Sequence, residues 1–400
     1  MTLIDQSYGT PADAHPALPL PAPPALPYPP PVPTDEERAL LLDAFHEVAT
    51  DPDQTFVLGR RTAELERRLR GRAQVADVIA CGSGTGGLIL ALRALGVGPG
   101  DEVIVPAFGA EPLGSSVLAV GAIPVFADVE PDTMVLDVAD TERRITPRTR
   151  AIVPAHTFQS MADMPALVEL AARRRLALVE DAAIAMGASL HGRPAGSWAD
   201  LGLYSFFPVK PFGMAGEGAV LLSDDPELSR TVRLLRDHGQ DGVRRGIHHE
   251  QGIDSRFDEV QAAYQLARLG SLDGRLARRR AVVDHYDEAL APLRSGGLVV
   301  PDQGPDTSPC LYVYAVQTEY RDELAAHLAA HGVGTRVYYP LPLNRLPQFA
   351  PYAEHGPARP GADQASARHL ALPLHQHMTL AQARRVTDAI RSFFAGPGRS

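Results

Sequence analysis

The chain has 400 residues, of which 45% are hydrophobic and 22% are charged, and its formal net charge is −10. These values are typical of a soluble globular protein of about two domains. An acidic balance argues against general nucleic-acid binding, which needs a basic surface. No apolar run approaches the roughly 20 residues of a membrane-spanning helix, so no membrane partner is expected.

Cysteine usage and the first residues both favour the cytoplasm. Cys81 and Cys310 are the only cysteines, so the sequence predicts no disulfide framework and fits a reducing compartment. The first residues lack the basic start and apolar stretch of a signal peptide. The expected location is therefore cytoplasmic.

Residues 1–33 hold 11 of the 36 prolines and are predicted to form a disordered, proline-rich leader. A proline-rich ligand for a partner domain is the alternative. Order is expected to begin at Thr34, because Thr34 and Glu37 have the spacing of a capping box at a helix start.

Short apolar runs alternate with amphipathic segments over residues 34–265. Strands are predicted at seven places: Val78–Cys81, Glu102–Pro106, Pro124–Val129, Ala151–His156, Ala177–Asp181, Leu201–Phe206 and Ala219–Ser223. Helices are predicted between several of them: Gly86–Leu95, Pro112–Val120 and Ala162–Arg174. This alternation predicts an α/β domain with a large, mostly parallel sheet covered on both faces.

Residues 266–400 are predicted to form a smaller C-terminal α+β domain. A long charged helical stretch runs from about Asp258 through Leu290. It is followed by a predicted strand, a helix closed by Gly332, a second strand and a final helix: Leu311–Gln317, Glu319–His331, Gly334–Tyr339 and Leu380–Phe394.

Lys210 is the one lysine of the chain, among 38 lysine and arginine residues. Arginine replaces lysine as a positive charge, but its guanidinium stays protonated, whereas a desolvated lysine amine can act as a nucleophile and form a Schiff base. The neighbours of Lys210 are apolar and turn-forming, as in Phe207-Pro208-Val209 before it. Lys210 is therefore a candidate for covalent chemistry, and the alternative is a surface lysine that has remained by chance.

A glycine-rich loop, Gly82-Ser83-Gly84-Thr85-Gly86-Gly87, follows one predicted strand and opens a helix. Backbone amides at a helix N-terminus suit a phosphate group. The same glycines match the dinucleotide fingerprint, which also needs an acid at the end of the next strand. Asp101 and Glu102 lie at the start of that strand instead, so a single phosphate group is favoured over a dinucleotide or a purely structural turn.

Another predicted strand ends in two acids, Glu180 and Asp181. Ligands of parallel sheets bind at the carboxyl ends of strands, where a carboxylate suits a protonated ring nitrogen or a metal. The histidines at 248–249 and at 375 and 377 lack matched acids or cysteines, so no metal is predicted. Taken alone, Glu180 is interpreted as a surface or structural acid.

Ser205 lies on the next predicted strand, and Lys210 lies in the loop after it. A phosphate cradle, an acid for a ring nitrogen and a Schiff-base lysine are together what pyridoxal 5′-phosphate needs. The sequence therefore indicates a pyridoxal-phosphate enzyme.

From about residue 55 to 395 the chain resembles the DegT/DnrJ/EryC1/StrS family of pyridoxal-phosphate-dependent sugar aminotransferases. The motifs that carry the resemblance include Ser83-Gly84-Thr85, 100–106, 145–149, 180–183, 205–210, 216–220, 255–263 and Tyr339-Pro340-Leu341-Pro342. The resemblance implies the fold type I aminotransferase fold, and a homodimer whose active sites lie between the subunits.

The resemblance also implies roles for individual residues. Lys210 would hold the cofactor as a Schiff base and act as the catalytic residue, and Asp181 would pair with the pyridine nitrogen. Gly84, Thr85 and Ser205 would bind the phosphate. Asp254 occupies the position where the family usually has an asparagine that reaches the phosphate from the partner subunit.

The chain departs from the family pattern at three further positions. Ala110 stands where an aromatic usually stacks on the cofactor ring, Ile184 where Gln or His lies near the ring hydroxyl, and Asn344 where a histidine is common. Phe108 or Phe158 is a candidate for the missing aromatic.

The expected function is transfer of an amino group, from L-glutamate, to a nucleotide-linked keto-deoxysugar in amino-sugar or antibiotic biosynthesis. Arg244, Arg245 and Arg336 are candidates for contacting the nucleotide diphosphate. The alternatives are another pyridoxal-phosphate reaction, such as cyclitol amination or sugar dehydration, and a non-catalytic homologue with a sensing or scaffold role. A nicotinamide oxidoreductase, based on the dinucleotide fingerprint of the glycine loop, is the least favoured alternative.

Overall fold

The computed structural model describes residues 26–28, 34–243, 246–300, 302, 304, 306–353 and 358–396. The helices are α1 (Asp35–Ala49), α2 (Arg60–Ala73), α3 (Gly84–Ala94), α4 (Pro112–Ala119), α5 (Val138–Arg143), α6 (Met164–Arg174), α7 (Pro226–Leu235), α8 (Glu259–Leu269), α9 (Leu272–Leu290), α10 (Arg321–Ala330), α11 (Pro360–Arg368) and α12 (Leu380–Phe394). Short 3₁₀ turns cover Ala291–Gly296, Leu343–Arg345 and Pro347–Tyr352.

The strands are β1 (Asp77–Cys81), β2 (Glu102–Pro106), β3 (Ile123–Ala127), β4 (Thr149–Ile152), β5 (Ala177–Asp181), β6 (Ser189–Leu190), β7 (Arg193–Pro194), β8 (Leu201–Ser205), β9 (Ala219–Ser223), β10 (Thr307–Ser308), β11 (Tyr314–Gln317) and β12 (His369–Leu372). The main sheet has the order β1-β9-β8-β5-β4-β2-β3. The run from β8 to β3 is parallel, while β9 is antiparallel to both of its neighbours. The predicted mostly parallel α/β sheet is confirmed.

Burial explains why the sequence pattern identified these strands. Every residue of β2, β8 and β9 is buried, because helices cover both faces of the sheet. Such strands are continuous apolar runs, and the predicted bounds of β2, β5 and β9 match the observed ones. Within the described residues, no helix is both long and apolar enough to cross a membrane.

Several predicted elements have bounds that differ by a few residues from the observed ones, such as the strand predicted over Ala151–His156, and two have a different form. The helical stretch after Asp258 is divided into α8 and α9 at Gly270 and Ser271. The strand predicted over 334–339 is reduced to a single bridge between Arg336 and Ala371. It does not continue as a strand because the next ladder position is taken by a side chain: the backbone N–H of Tyr338 donates to Nε2 of His369 at 3.0 Å.

The predicted capping box at the start of α1 is confirmed. The Thr34 hydroxyl accepts from the N–H of Glu37 at 3.2 Å, and the Glu37 carboxylate accepts from the N–H of Thr34 at 3.1 Å. Most of the predicted leader, residues 1–25 and 29–33, lies outside the described residues. Leu26 belongs to that predicted leader too, yet it is 1% exposed and bridges to Val333.

The predicted domain boundary at residues 265–266 falls inside a helix. α8 crosses it and packs against α1 and α2, whereas α9 packs against α12. β11 and β12 form a separate two-stranded antiparallel sheet in the C-terminal part. The division at this position remains a prediction.

A carboxylate distant in sequence caps α2. The N-cap residue Gly59 has no side chain, and the Glu259 carboxylate accepts instead from the N–H groups of Gly59, Arg61 and Thr62, each at 2.9 Å. It also accepts from the Thr62 hydroxyl at 2.6 Å. Glu259 is fully buried, and three of these four bonds satisfy amides at the start of α2 that have no partner inside the helix.

Glu259→Ala is therefore expected to destabilise the protein by about 3 kcal/mol, because it leaves the amides at the start of α2 without their acceptor. Urea unfolding followed by circular dichroism measures the change. Glu64→Ala is the control, because that carboxylate pairs with arginines on the surface and its loss should change little. Equal midpoints for the two variants would contradict this role.

Candidate active site

The carboxyl ends of three strands bring the candidate residues to one edge of the main sheet. β5 ends at Asp181, which lies in register with Leu203 of the parallel strand β8, and β8 ends two residues later at Ser205. β1 runs in the same direction as β8, because both are antiparallel to β9 between them. The glycine loop that follows β1 therefore starts at this same edge.

The glycine loop and Ser205 form a small cradle at the N-terminus of α3. The Ser83 hydroxyl caps the helix by accepting from the N–H of Gly86 at 3.0 Å. A Cβ atom at Gly84 would lie 3.3 Å from the Ser205 Oγ, so the absence of a side chain keeps this space open. The open amides and two hydroxyls provide the donors that a phosphate group requires.

Asp181 presents a buried carboxyl to this edge. It is 9% exposed, and its hydrogen-bond donor within the described part of the chain is the N–H of Ala183, at 3.0 Å from Oδ1. Burial raises the pKa of Asp181, and the N–H of Ala183, Lys210 and His156 oppose that rise. A positive group bound beside it would favour the ionised carboxylate further, so the position suits a protonated ring nitrogen.

Glu180 has a structural role, as the sequence analysis favoured. Its carboxylate is fully buried and accepts from the backbone N–H groups of Gly196 at 2.6 Å and Trp198 at 2.8 Å. It also contacts Nε2 of His156 at 2.9 Å. Sequence reasoning missed His156, because its link to Glu180 joins the segment after β4 to β5 and leaves no local motif.

Lys210 lies in a tight loop between β8 and β9. Its N–H donates to the carbonyl of Phe207 at 2.9 Å, and its own carbonyl accepts from the N–H of Gly213 at 2.9 Å. A Cβ atom at Gly213 would lie 2.3 Å from the carbonyl oxygen of Pro208, so this turn can close only on a glycine. The loop thereby fixes the backbone that carries the lysine.

The Lys210 side chain is half-buried, and its amine end lies in the more desolvated part, as its apolar sequence context suggested. Its Nζ is 4.3 Å from the centre of the Tyr312 ring. Burial lowers the pKa of Lys210 from 10.5 to about 8, against the opposing effect of the Asp181 carboxylate. An appreciable fraction of the amine is therefore neutral near physiological pH, as a nucleophile requires.

The two aromatic candidates for stacking on a cofactor ring, Phe108 and Phe158, are both in the core. Phe108 is 0% exposed and Phe158 is 2% exposed. Phe158 stacks on Tyr339, with ring centres 6.0 Å apart, and Phe108 meets the same ring edge-on at 5.2 Å. Neither ring therefore presents a free face, and Ile184 is equally buried at 8% exposure.

Asp254 is not an isolated acid beside the glycine loop. The Arg256 guanidinium donates to its two oxygens at 2.9 and 2.6 Å, and these bonds lower the pKa of Asp254. The adjacent Ser255 contacts the loop, since its carbonyl and hydroxyl accept from the N–H of Gly82 at 2.9 and 3.2 Å. An ionised Asp254 can remain here because its charge is balanced within the same segment.

Two of the remaining candidates, Arg336 and Asn344, lie within the described residues. Arg336 covers the Tyr338 ring at 5.3 Å, and the Asn344 Oδ1 is buried without a hydrogen-bond partner. Arg244 and Arg245 lie outside the described residues. Within the described ranges, no group of three or more His, Cys, Asp or Glu residues is arranged to hold a metal ion.

The acids that a dinucleotide would need are engaged elsewhere. The Asp101 carboxylate accepts from the N–H of Gly98 at 3.0 Å, and the buried Glu102 accepts from Arg148 at 2.8 Å and from Thr146. Both lie at the amino end of β2, away from the glycine loop. The geometry therefore offers no ribose acceptor at this position.

Lys210→Met is expected to raise the melting temperature at pH 7. The folded pKa of Lys210, about 8, lies below its ordinary value of 10.5, so the buried charge costs stability below pH 8. That cost disappears as the pH rises from about 8 towards 10.5, so the advantage of the variant should shrink over this range. Calorimetry of both proteins between pH 7 and 9.5 measures the difference in melting temperature. A difference that does not change with pH would contradict a desolvated Lys210 amine.

Comparison with known proteins places this geometry in a family. The model of the DegT/DnrJ/EryC1/StrS aminotransferase family matches residues 37–391. A dTDP-3-amino-3,4,6-trideoxy-alpha-D-glucose transaminase of Streptomyces venezuelae is 40% identical over 338 residues, which are 84% of this chain and 88% of that protein.

Two solved structures have the same fold. The structure of DesV from S. venezuelae in complex with a ketimine intermediate has a TM-score of 0.84 and 38% identity, and covers 90% of this chain and 95% of its own. Bacillus subtilis NtdA with bound cofactor PMP has a TM-score of 0.84 and 29% identity, and covers 91% of this chain and 83% of its own. The chain belongs to the DegT/DnrJ/EryC1/StrS aminotransferase family, with the fold type I architecture and the pyridoxal-phosphate cofactor of that family.

Proposed function

We propose that the protein transfers an amino group from L-glutamate to a nucleotide-linked keto-deoxysugar, in the biosynthesis of an amino sugar. The observation that carries the proposal is the position of Lys210. The single lysine of the chain is desolvated, has a pKa of about 8, and acts electrostatically on the buried Asp181. Relatives named as transaminases of dTDP-linked aminodeoxysugars support the substrate class.

The residues at the sheet edge fit pyridoxal 5′-phosphate. The cradle at Gly84 would be filled by a Cβ atom at 3.3 Å from Ser205, and with Thr85 it can hold the phosphate. Asp181 can hold the ring nitrogen, and Lys210 the aldehyde carbon. When bound, the cofactor supplies an aldehyde that condenses with amines and a ring that withdraws electrons from the attached carbon.

The residues of the chain then supply positioning and proton transfer. Lys210, with a pKa of about 8, can accept a proton from the substrate carbon and return it at pH values near neutrality. The Asp181 carboxylate, which is only 9% exposed to solvent, can pair with a positive ring nitrogen and keep it in place. The Glu180–His156 contact at 2.9 Å supports the strand end that carries Asp181.

Three alternatives to sugar amination are compared with the residues of the site. Dehydratases of the family replace the lysine with histidine, so Lys210 disfavours sugar dehydration. Cyclitol amination uses the same residues and differs only in the acceptor. A non-catalytic sensing or scaffold role is motivated by Ala110 and Ile184, which offer neither a ring stack nor a hydrogen bond to the cofactor.

The protein is proposed to act as a cytoplasmic homodimer. Three large apolar side chains of the N-terminal region are exposed in the single chain: Leu42 at 71%, Phe45 at 62% and Phe56 at 59%. Exposed apolar groups of this size are commonly buried by a partner. In that assembly the segment around Asp254 is proposed to approach the phosphate of the partner's site.

Lys210→Arg is expected to abolish transamination while preserving the charge, because a guanidinium is not deprotonated and cannot form the Schiff base. The wild-type protein should show a visible absorption band with pyridoxal phosphate, and L-glutamate should bleach it. Spectrophotometry of both proteins, before and after L-glutamate, measures the difference.

A panel of keto-sugar nucleotides then serves as acceptors for the amine-loaded enzyme. A wild-type band that ignores L-glutamate would point to another donor or another reaction. Complete absence of a band would favour the sensing or scaffold role. Full activity of Lys210→Arg would overturn the assignment of the lysine.

Phe45→Glu is expected to shift the protein from dimer towards monomer, because it places a charge in the apolar face of α1. Light scattering coupled to size-exclusion chromatography measures the mass. Leu380→Glu is the matched control, since Leu380 is also apolar and exposed, at 44%, but begins the C-terminal helix. Dissociation by the control alone would place the interface on the other side of the molecule.

A further inference from the structure

The residues just before the first helix dock onto the C-terminal part of the fold. The Leu26 N–H donates to the carbonyl of Gly332 at 3.0 Å, and the Leu26 carbonyl accepts from the N–H of Gly334 at 2.9 Å. The Leu26 side chain is 1% exposed. A Cβ atom at Gly334 would lie 2.9 Å from the backbone nitrogen of Tyr28, so the approach of the two segments requires this glycine.

This docking brings Tyr28 into a group of three tyrosines, Tyr28, Tyr338 and Tyr312, called here the tyrosine trio. The Tyr28 hydroxyl donates to the Tyr338 hydroxyl at 2.8 Å, and the Tyr312 hydroxyl donates to the same oxygen at 3.4 Å. The Tyr28 and Tyr338 rings meet edge-on, with centres 6.2 Å apart. One hydroxyl therefore joins the N-terminal segment to two points of the C-terminal region.

The trio ends at the reactive lysine. The Lys210 Nζ lies 4.3 Å from the centre of the Tyr312 ring, a distance at which an ammonium is attracted by an aromatic face. The 3.4 Å hydroxyl contact and a ring contact with Tyr338, with centres 6.1 Å apart, fix the orientation of Tyr312. A change at Tyr28 is thus transmitted to the lysine through two packed rings.

We propose that Tyr28 is a positioning residue for Lys210: the docked segment orders the tyrosine trio, and the trio supports the lysine amine and keeps water from it. This role depends on the proposed function, because it takes Lys210 as the reacting amine. It gives residues 26–28 of the predicted leader a role in the active site, although Tyr28 touches neither the lysine nor the sheet edge.

The direction of the effect follows from what surrounds the amine. Asp181 is the charged group whose field acts on Lys210, and Tyr312 is the ring that covers it. Burial has the largest influence on the pKa of Lys210. Loosening the trio admits water, so the pKa should rise from about 8 towards 10.5, and each unit lowers the neutral fraction at pH 7 about tenfold.

The sole lysine makes this measurable without turnover. Reductive methylation of the full-length protein, freed of pyridoxal phosphate so that the amine is not in a Schiff base, with ¹³C-formaldehyde labels Lys210 and the chain N-terminus, and NMR titration gives the pKa of each. Lys210→Arg identifies the N-terminal signal. Tyr28→Phe removes the hydroxyl, Tyr28→Ala removes the ring as well, and Tyr338→Phe removes the shared acceptor. Tyr286→Phe is the matched control, because its buried hydroxyl donates to the Pro373 carbonyl at 2.9 Å outside the trio.

The expected result is a raised Lys210 pKa in Tyr28→Ala and Tyr338→Phe, a smaller rise in Tyr28→Phe, and none in Tyr286→Phe. An unchanged pKa in all three trio variants would overturn the proposal, as would an equal rise in Tyr286→Phe. If Tyr28→Ala does not fold, Tyr28→Phe and Tyr338→Phe decide by the same criterion. If the pKa shifts are observed but L-glutamate does not bleach the cofactor band of the wild-type protein, the proposed function is overturned and the positioning role of Tyr28 is not.

Discussion

Parallel pairing of β5 with β8 is the constraint on which the rest of the site depends. Parallel strands end at the same edge, so Asp181 and Ser205 meet although 23 residues of chain separate them. β1 joins the same sheet through β9, which adds the open N-terminus of α3. The loop after β8 then has only to turn back over this edge to bring Lys210 close to Asp181.

Buried carboxylates in this fold have two kinds of surroundings, and the difference distinguishes structural carboxylates from one that is available to a ligand. Glu180 and Glu259 are each met by several donors of the protein at 2.6–2.9 Å, so neither has capacity left for a ligand. Asp181 receives one backbone donor from the described residues. A buried acid with unfilled hydrogen-bonding capacity is costly in a resting fold, and it persists where a ligand completes it.

The support for Lys210 comes from chain segments far from it in sequence. Arg279 is 2% exposed and donates to the carbonyls of Leu311 at 3.0 Å, Tyr312 at 3.4 Å and Leu374 at 3.2 Å, which fixes the backbone that carries Tyr312. Burial lowers the pKa of Arg279 to about 10, yet it remains the charged donor at physiological pH.

Much of this protein was determined by sequence alone. Short, largely apolar runs identified β2, β5 and β9, because strands covered on both faces need apolar side chains at most positions. The single lysine, the glycine loop and Asp181 indicated the cofactor because each signal depends on residue type in a short stretch of sequence. The tertiary structure alone decided the contacts between distant segments: the capping of α2 by Glu259, the pairing of His156 with Glu180, and the docking of Tyr28 against Tyr338. Such contacts have no local pattern, because they are set by how the elements pack, and this is why only the fold could link a tyrosine of a proline-rich segment to Tyr338 and, through Tyr312, to the lysine.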